Sequence, residues 1–116
     1  MRQVHQLAQV LALILFKKRE NPEVDSTETI DSGLRDGLGL SLEEVLTSDK
    51  HRILQLCHQK GHFYPDLAVA VADLLFEEGS EEAAVRALWL YSAALEAGGT
   101  LPINAIEWVS ANPTAE

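Results

Sequence analysis

Cys57, His58 and His62 come closest to a reactive constellation in this chain of 116 residues. Thiolate and imidazole are the usual zinc donors, and a cysteine beside a histidine is the pair from which an activated nucleophile is built. The spacing argues against both uses. Gly61 breaks a helix between the two histidines, so the i, i+4 arrangement that puts two imidazoles on one helix face is lost, and no CxxC or third histidine lies nearby. Cys57 falls on the apolar stripe of its segment, where a thiol is inert. The acidic pairs Glu77-Glu78 and Glu81-Glu82 have the right chemistry for general acid and base catalysis. Flanking a helix turn, however, they read as solvated residues, and Glu81-Glu82 also suit the positive end of a helix dipole. The glycines of GLRDGLGL, residues 33–40, lack the following Lys-Ser/Thr, the preceding strand and the GxGxxG spacing of a phosphate cradle. A helix end or a close packing contact accounts for them. The expectation is a protein without catalytic residues, metal ligands or cofactor, and not an enzyme.

The elements that position every other group are two helices between Pro65 and Gly98. Leu67, Val69, Ala70, Val71, Leu74, Leu75 and Phe76 recur at helical and not alternating spacing. Pro65 suits a first helical position, where its missing N–H costs nothing, and Asp66 complements the dipole. Gly79 ends this arm and Ser80 caps the next. On the second arm Ala84, Leu88, Tyr91 and Leu95 form the expected inner line, and five alanines favour close approach of the arms. Upstream, Gln3 to Lys18 predicts a helix whose turns from Val10 to Phe16 are apolar nearly all round. Glu23 to Leu38 predicts a second helix, and Ser41 with Glu44 a capping box. Thr47 or Ser48 is expected to cap a helix running to Lys60. Pro102 then opens a last helix with Ile103, Ile106 and Val109 facing inward. No strand is expected. The whole reads as an all-α single domain of about five to six helices over residues 1–112, with 113–116 frayed. The expected core joins Leu7, Leu11 and Ile14 to Leu74, Leu75, Ala84, Leu88 and Leu95.

These residues carry two resemblances. The hairpin at residues 65–98 resembles one tetratricopeptide motif, with Ala72 at the small position of the first arm, Leu75-Phe76 near its end and Gly79 at the turn. Ala84 and Leu88 match on the second arm, followed by Ala94-Leu95-Glu96 before Pro102. The whole chain also resembles a family of small bacterial helical proteins of unknown function. Those proteins open with a helix like Gln6 to Lys18, continue through GLGLSLEEVL and close with such a hairpin. The tetratricopeptide resemblance implies a partner-binding face on the first arm, at Asp66, Val69, Asp73, Phe76 and Glu77.

Charge narrows the partner. The formal net charge is −9, which excludes a phosphate-tracking nucleic-acid binder, since such proteins need clustered Lys and Arg. Residues 1–60 carry net −1 and residues 61–116 net −8, so the hairpin half suits a basic protein partner. A single cysteine permits no internal disulfide, and a reducing, cytoplasmic setting is expected. The apolar run Leu7 to Phe16 is too short to span a bilayer. It is preceded by Arg2 alone and followed by charge, not by a cleavage site. Two readings of that run stand: a central helix wrapped by its own chain, or a homodimer contact at Val10, Leu13, Ile14 and Phe16. The function expected is a helical interaction or scaffold protein, the alternative a small-molecule binder or enzyme with a pocket between helices.

Overall fold

The computed structural model describes residues 2–21, 23, 27–59, 61–101 and 103–111. Within them lie seven helices and one two-stranded ladder: α1 (Arg2–Glu20), α2 (Thr27–Leu38), α3 (Leu42–Leu46), α4 (Lys50–Gln55), β1 (His58–Gln59), β2 (His62–Phe63), α5 (Pro65–Glu78), α6 (Glu81–Glu96) and α7 (Ile103–Ala111). The all-α expectation holds for a single domain, with one or two helices more than expected. Pro22, Val24, Lys60, Pro102, Asn112 and the 113–116 tail lie outside the described residues.

The α5/α6 hairpin is the most extensively packed pair of elements. Gly79 adopts φ +85° at the end of α5, the left-handed conformation that glycine takes without steric cost, and its N–H bonds the Leu75 carbonyl. Ser80 accepts from the Ala83 N–H at the head of α6. At the open end, Gly99 lies so close to Pro65 that a Cβ there would come within 2.8 Å of the proline Cβ. The arms bury Leu67, Ala68, Val71, Leu74 and Leu75 from α5 against Ala83, Ala87, Leu90, Tyr91 and Ala94 from α6. This corrects the face expected for α6: Ala84 and Leu88 are only partly buried and Leu95 is 41% exposed. The helix turns its alanine-rich side inward, because small residues let two backbones approach and Leu90 then fills the remaining space.

α1 lies across α2 and α5. It meets α2 through the two glycines of that helix: a Cβ at Gly33 would be 2.8 Å from Val10 Cγ1, and one at Gly37 would be 2.9 Å from Leu7 Cδ2. The glycines of GLRDGLGL are therefore a notch for α1, one helical turn apart on a single face. Leu7 and Ile14, two turns apart, are both fully buried with Ile30 and Leu34 of α2. α3 is held by the expected capping box, Glu44 N–H to Ser41 Oγ at 3.1 Å and Ser41 N–H to Glu44 Oε1 at 2.9 Å.

The expected helix to Lys60 is shorter and differently capped. Asp49, not Thr47 or Ser48, accepts the Arg52 N–H, because Ser48 Oγ instead donates to the Glu44 carbonyl at 2.7 Å. The helix stops at Gln55, and His58 Nδ1 donates to the Leu54 carbonyl at 2.9 Å. That bond satisfies an end carbonyl and releases the chain into the ladder, where Gly61 turns it at φ +81°. Arg86 of α6 then anchors the α3–α4 link. Its Nε and Nη2 reach the Ser48 carbonyl at 3.0 and 2.7 Å, and its guanidinium lies 5.3 Å from the Trp89 ring.

α7 also departs from expectation. Ile103 is 77% exposed and Ile106 38% exposed, whereas Ala105 is buried and Trp108 faces inward. Trp108 meets the Phe76 ring at 5.2 Å with the planes tilted by 59°, and the Tyr91 ring edge-on at 6.1 Å. The indole has more apolar surface to cover than either isoleucine and is worth more in an aromatic pair, so it sets the rotation of the helix.

Candidate functional site

The ladder separates the two histidines that a metal would need together. His58 pairs with Phe63 and Gln59 with His62, so the two imidazoles sit on opposite faces of the strand pair. The His58 ring is committed to Leu54 and to the Phe63 ring at 5.2 Å. Among the described residues no group of three or more His, Cys, Asp or Glu is placed to hold a metal ion. Cys57 is fully buried, and desolvation pushes its thiol up to about 12, so it stays protonated at neutral pH.

Three of the five residues expected to form a partner face do come together. Asp66, Val69 and Asp73 of α5 line one wall of a groove of about 220 Å³ whose other wall is Val4, Ala8 and Leu11 of α1. Helical spacing of three and four residues places the α5 trio on one stripe, with Asp66 and Asp73 about 10 Å apart along the axis. Asp66 is exposed. Asp73 is partly buried and accepts from the Tyr91 hydroxyl at 2.5 Å. Burial raises the Asp73 carboxyl above its usual range; the Tyr91 hydrogen bond opposes that rise and the Glu77 charge adds to it. The phenol of Tyr91 is raised in turn, first by burial and then by its bond to Asp73.

The other two residues point elsewhere. Phe76 is 44% exposed and its ring packs at a tilt against Trp108. Glu77 is taken by Lys18 of α1, whose Nζ donates to the Glu77 carboxylate at 2.8 Å and to its carbonyl at 3.0 Å. Lys18 therefore caps the end of α5 and ties α1 to it.

The residues expected to self-associate also divide. Ile14 is fully buried and belongs to the core, which removes it from any outer face. Val10 packs on Gly33. With Leu13 it lines an open surface trough of about 510 Å³ between α1 and α2, edged by Lys17, Glu28 and Asp36. Leu13 and Phe16 stand out at 47% and 58% exposure, joined by Leu15 at 46%, although helical spacing puts Leu15 beside the inward line of Leu7, Leu11 and Ile14. Ile14 shares the apolar turns of its neighbours, and only the placement of α2 and α5 decides which of them is covered.

The groove wall from α1, the Tyr91 partner of Asp73 and the Lys18 partner of Glu77 have no local signature. The two side-chain pairs are 18 and 59 residues apart in the chain, and the two groove walls more than 50. No helix among the described residues is long and apolar enough to cross a membrane. No family model, curated protein or solved structure matches the chain.

Proposed function

We propose that this chain is a non-enzymatic helical interaction protein that engages a protein partner, or a second copy of itself, through helix faces. The observation that carries the reading is the outer side of α1. Leu13, Leu15 and Phe16, within four consecutive residues, expose 46–58% of their surface. Apolar side chains clustered in this way mark contact surfaces, whereas scattered ones do not. The likeness of the hairpin to a tetratricopeptide motif points the same way, since helix pairs of that family serve binding. The excess of acid on residues 61–116 favours a basic partner over an acidic one and disfavours nucleic acid.

The test is comparative. Wild-type protein and a Leu15→Glu/Phe16→Glu variant are cross-linked in the source cell, and the mass of each is measured by light scattering in solution. The reading expects either a homodimer that the variant converts to monomer or a cross-linked protein that the variant loses. A wild-type monomer whose cross-linked proteins are unchanged in the variant overturns it.

A further inference from the structure

The groove between α1 and α5 gives the partner a chemistry. Resting on the interaction reading above, we infer that this groove receives a basic amphipathic helix that presents two cations seven residues apart, with an aliphatic side chain midway between them.

The groove has one acid at each end of its α5 wall and hydrocarbon between. Asp66 and Asp73 are seven residues apart, Val69 lies between them, and Ala8 and Leu11 face them from α1. Two helical turns separate the carboxylates, and any helix laid alongside α5 repeats that rise, so cations at i and i+7 meet both acids at once. A leucine at i+3 or i+4 then falls on Val69 and over Ala8, whose methyl leaves the space that a larger residue would fill. At about 220 Å³ the groove admits a ridge of side chains and not a whole helix, which suits docking along the surface.

The acids are available for this. Neither Asp66 nor Asp73 is in an ion pair among the described residues, in contrast to Glu77 next along the helix, which Lys18 neutralises. Tyr91 donates to Asp73 from the core side, which holds the carboxylate without neutralising it. A cation brought to Asp73 meets a half-buried charge in a poorly solvated site, where attraction is stronger than on open surface. The surrounding half of the chain carries net −8 and steers a cationic segment toward it.

The probe is a fluorescent helical peptide of alanine and glutamine carrying Lys at i and i+7 and Leu at i+3 and i+4, titrated by anisotropy at low and high salt. A second peptide has both Lys replaced by Glu. Protein variants are Asp66→Lys, which reverses one exposed charge, and Ala8→Trp, which fills the groove from a position outside the core. Thermal melts of both variants establish that they fold. The expected result is saturable binding of the Lys peptide, weakened by salt and by about tenfold or more in either variant, with the Glu peptide binding at least about tenfold more weakly. Equal binding of the two peptides, undiminished binding to both folded variants, or no saturation at about 1 mM overturns the inference. The interaction reading has its own readout in the α1 double variant. Loss of the groove with that readout intact removes only the basic-helix partner.

Discussion

Replacing Tyr91 with Phe removes one oxygen from a side chain that is only 3% exposed, so it leaves the ring packing on Trp108 in place and creates almost no cavity. What changes is Asp73, which loses its only hydrogen-bond donor among the described residues while remaining partly buried. A hydrogen bond to a charged group contributes about 1.5–3 kcal/mol. That range is the expected loss at pH 7, because removing one partner leaves the other to bear its desolvation unrelieved. Asp73→Asn has the opposite outlook. The folded-state carboxyl is raised, so its contribution to stability is complete below the unfolded value, near 3.9, and is lost as pH rises through the folded value. At neutral pH the Asn variant escapes that loss while still accepting from Tyr91, and its stability is expected to equal or exceed wild type. The Tyr91→Phe deficit narrows as pH falls through the Asp73 titration. Urea titrations of both single variants and the double variant from pH 4 to 8 measure the coupling directly. A Tyr91→Phe loss below about 0.5 kcal/mol at pH 7, or one independent of pH, refutes the reasoning.

The α6 register makes Leu90→Ala cost about 2–5 kcal/mol and Leu88→Ala less than about 2, so denaturant midpoints in the reverse order would show that the hairpin packs on its other face. Gly37→Ala gains about 1 kcal/mol of helix propensity but drives a methyl to within 2.9 Å of fully buried Leu7; overpacking of about 1–3 kcal/mol outweighs the gain, and a raised melting temperature would contradict the notch. Arg86→Ala is expected to lose about 1.5–3 kcal/mol by thermal melt, and Arg86→Lys to recover less than half, because an ammonium cannot reproduce the forked approach to Ser48. Backbone N–H groups lower the carboxyls of Asp31, through Leu42 first, and Glu44, through Ser41 first. Their stabilisation is present above the unfolded values and lost as pH falls through the folded ones. Glu44→Gln should therefore flatten the acid limb of the stability profile.

The parts of this fold that could be read from the sequence are those whose chemistry is local. Gly79-Ser80 and Ser41 with Glu44 form turn and cap from neighbouring residues, and they stand as expected. The inner face of α6 was not legible, since two lines of residues compete there. Ala84, Leu88, Tyr91 and Leu95 have the larger side chains, but Ala83, Ala87, Leu90 and Ala94 permit the closer approach. The rotation of α7 follows from a tryptophan meeting rings that lie 17 and 32 residues upstream. In the candidate site, helical spacing placed Asp66, Val69 and Asp73 together, whereas Phe76 and Glu77 were drawn off by residues distant in sequence. Periodicity identifies a stripe; which part of the stripe stays uncovered depends on tertiary contacts.

The contrast between the two-residue turn at Gly79-Ser80 and the Lys18–Glu77 contact, 59 residues apart, has a consequence for folding order. The α5/α6 pair closes almost no loop in forming, so it is suited to nucleate, while α1 must pay a far larger closure entropy to dock. Conservative substitutions at Leu74 and Leu90 should therefore slow refolding, and those at Leu7 and Ile14 should chiefly speed unfolding. In the native state the same asymmetry makes α1 the first large element to open, and its amides should exchange with solvent through openings smaller than global unfolding. A ligand bridging α1 and α5 across their groove would act as a clasp on that motion, and slower exchange in α1 would report it.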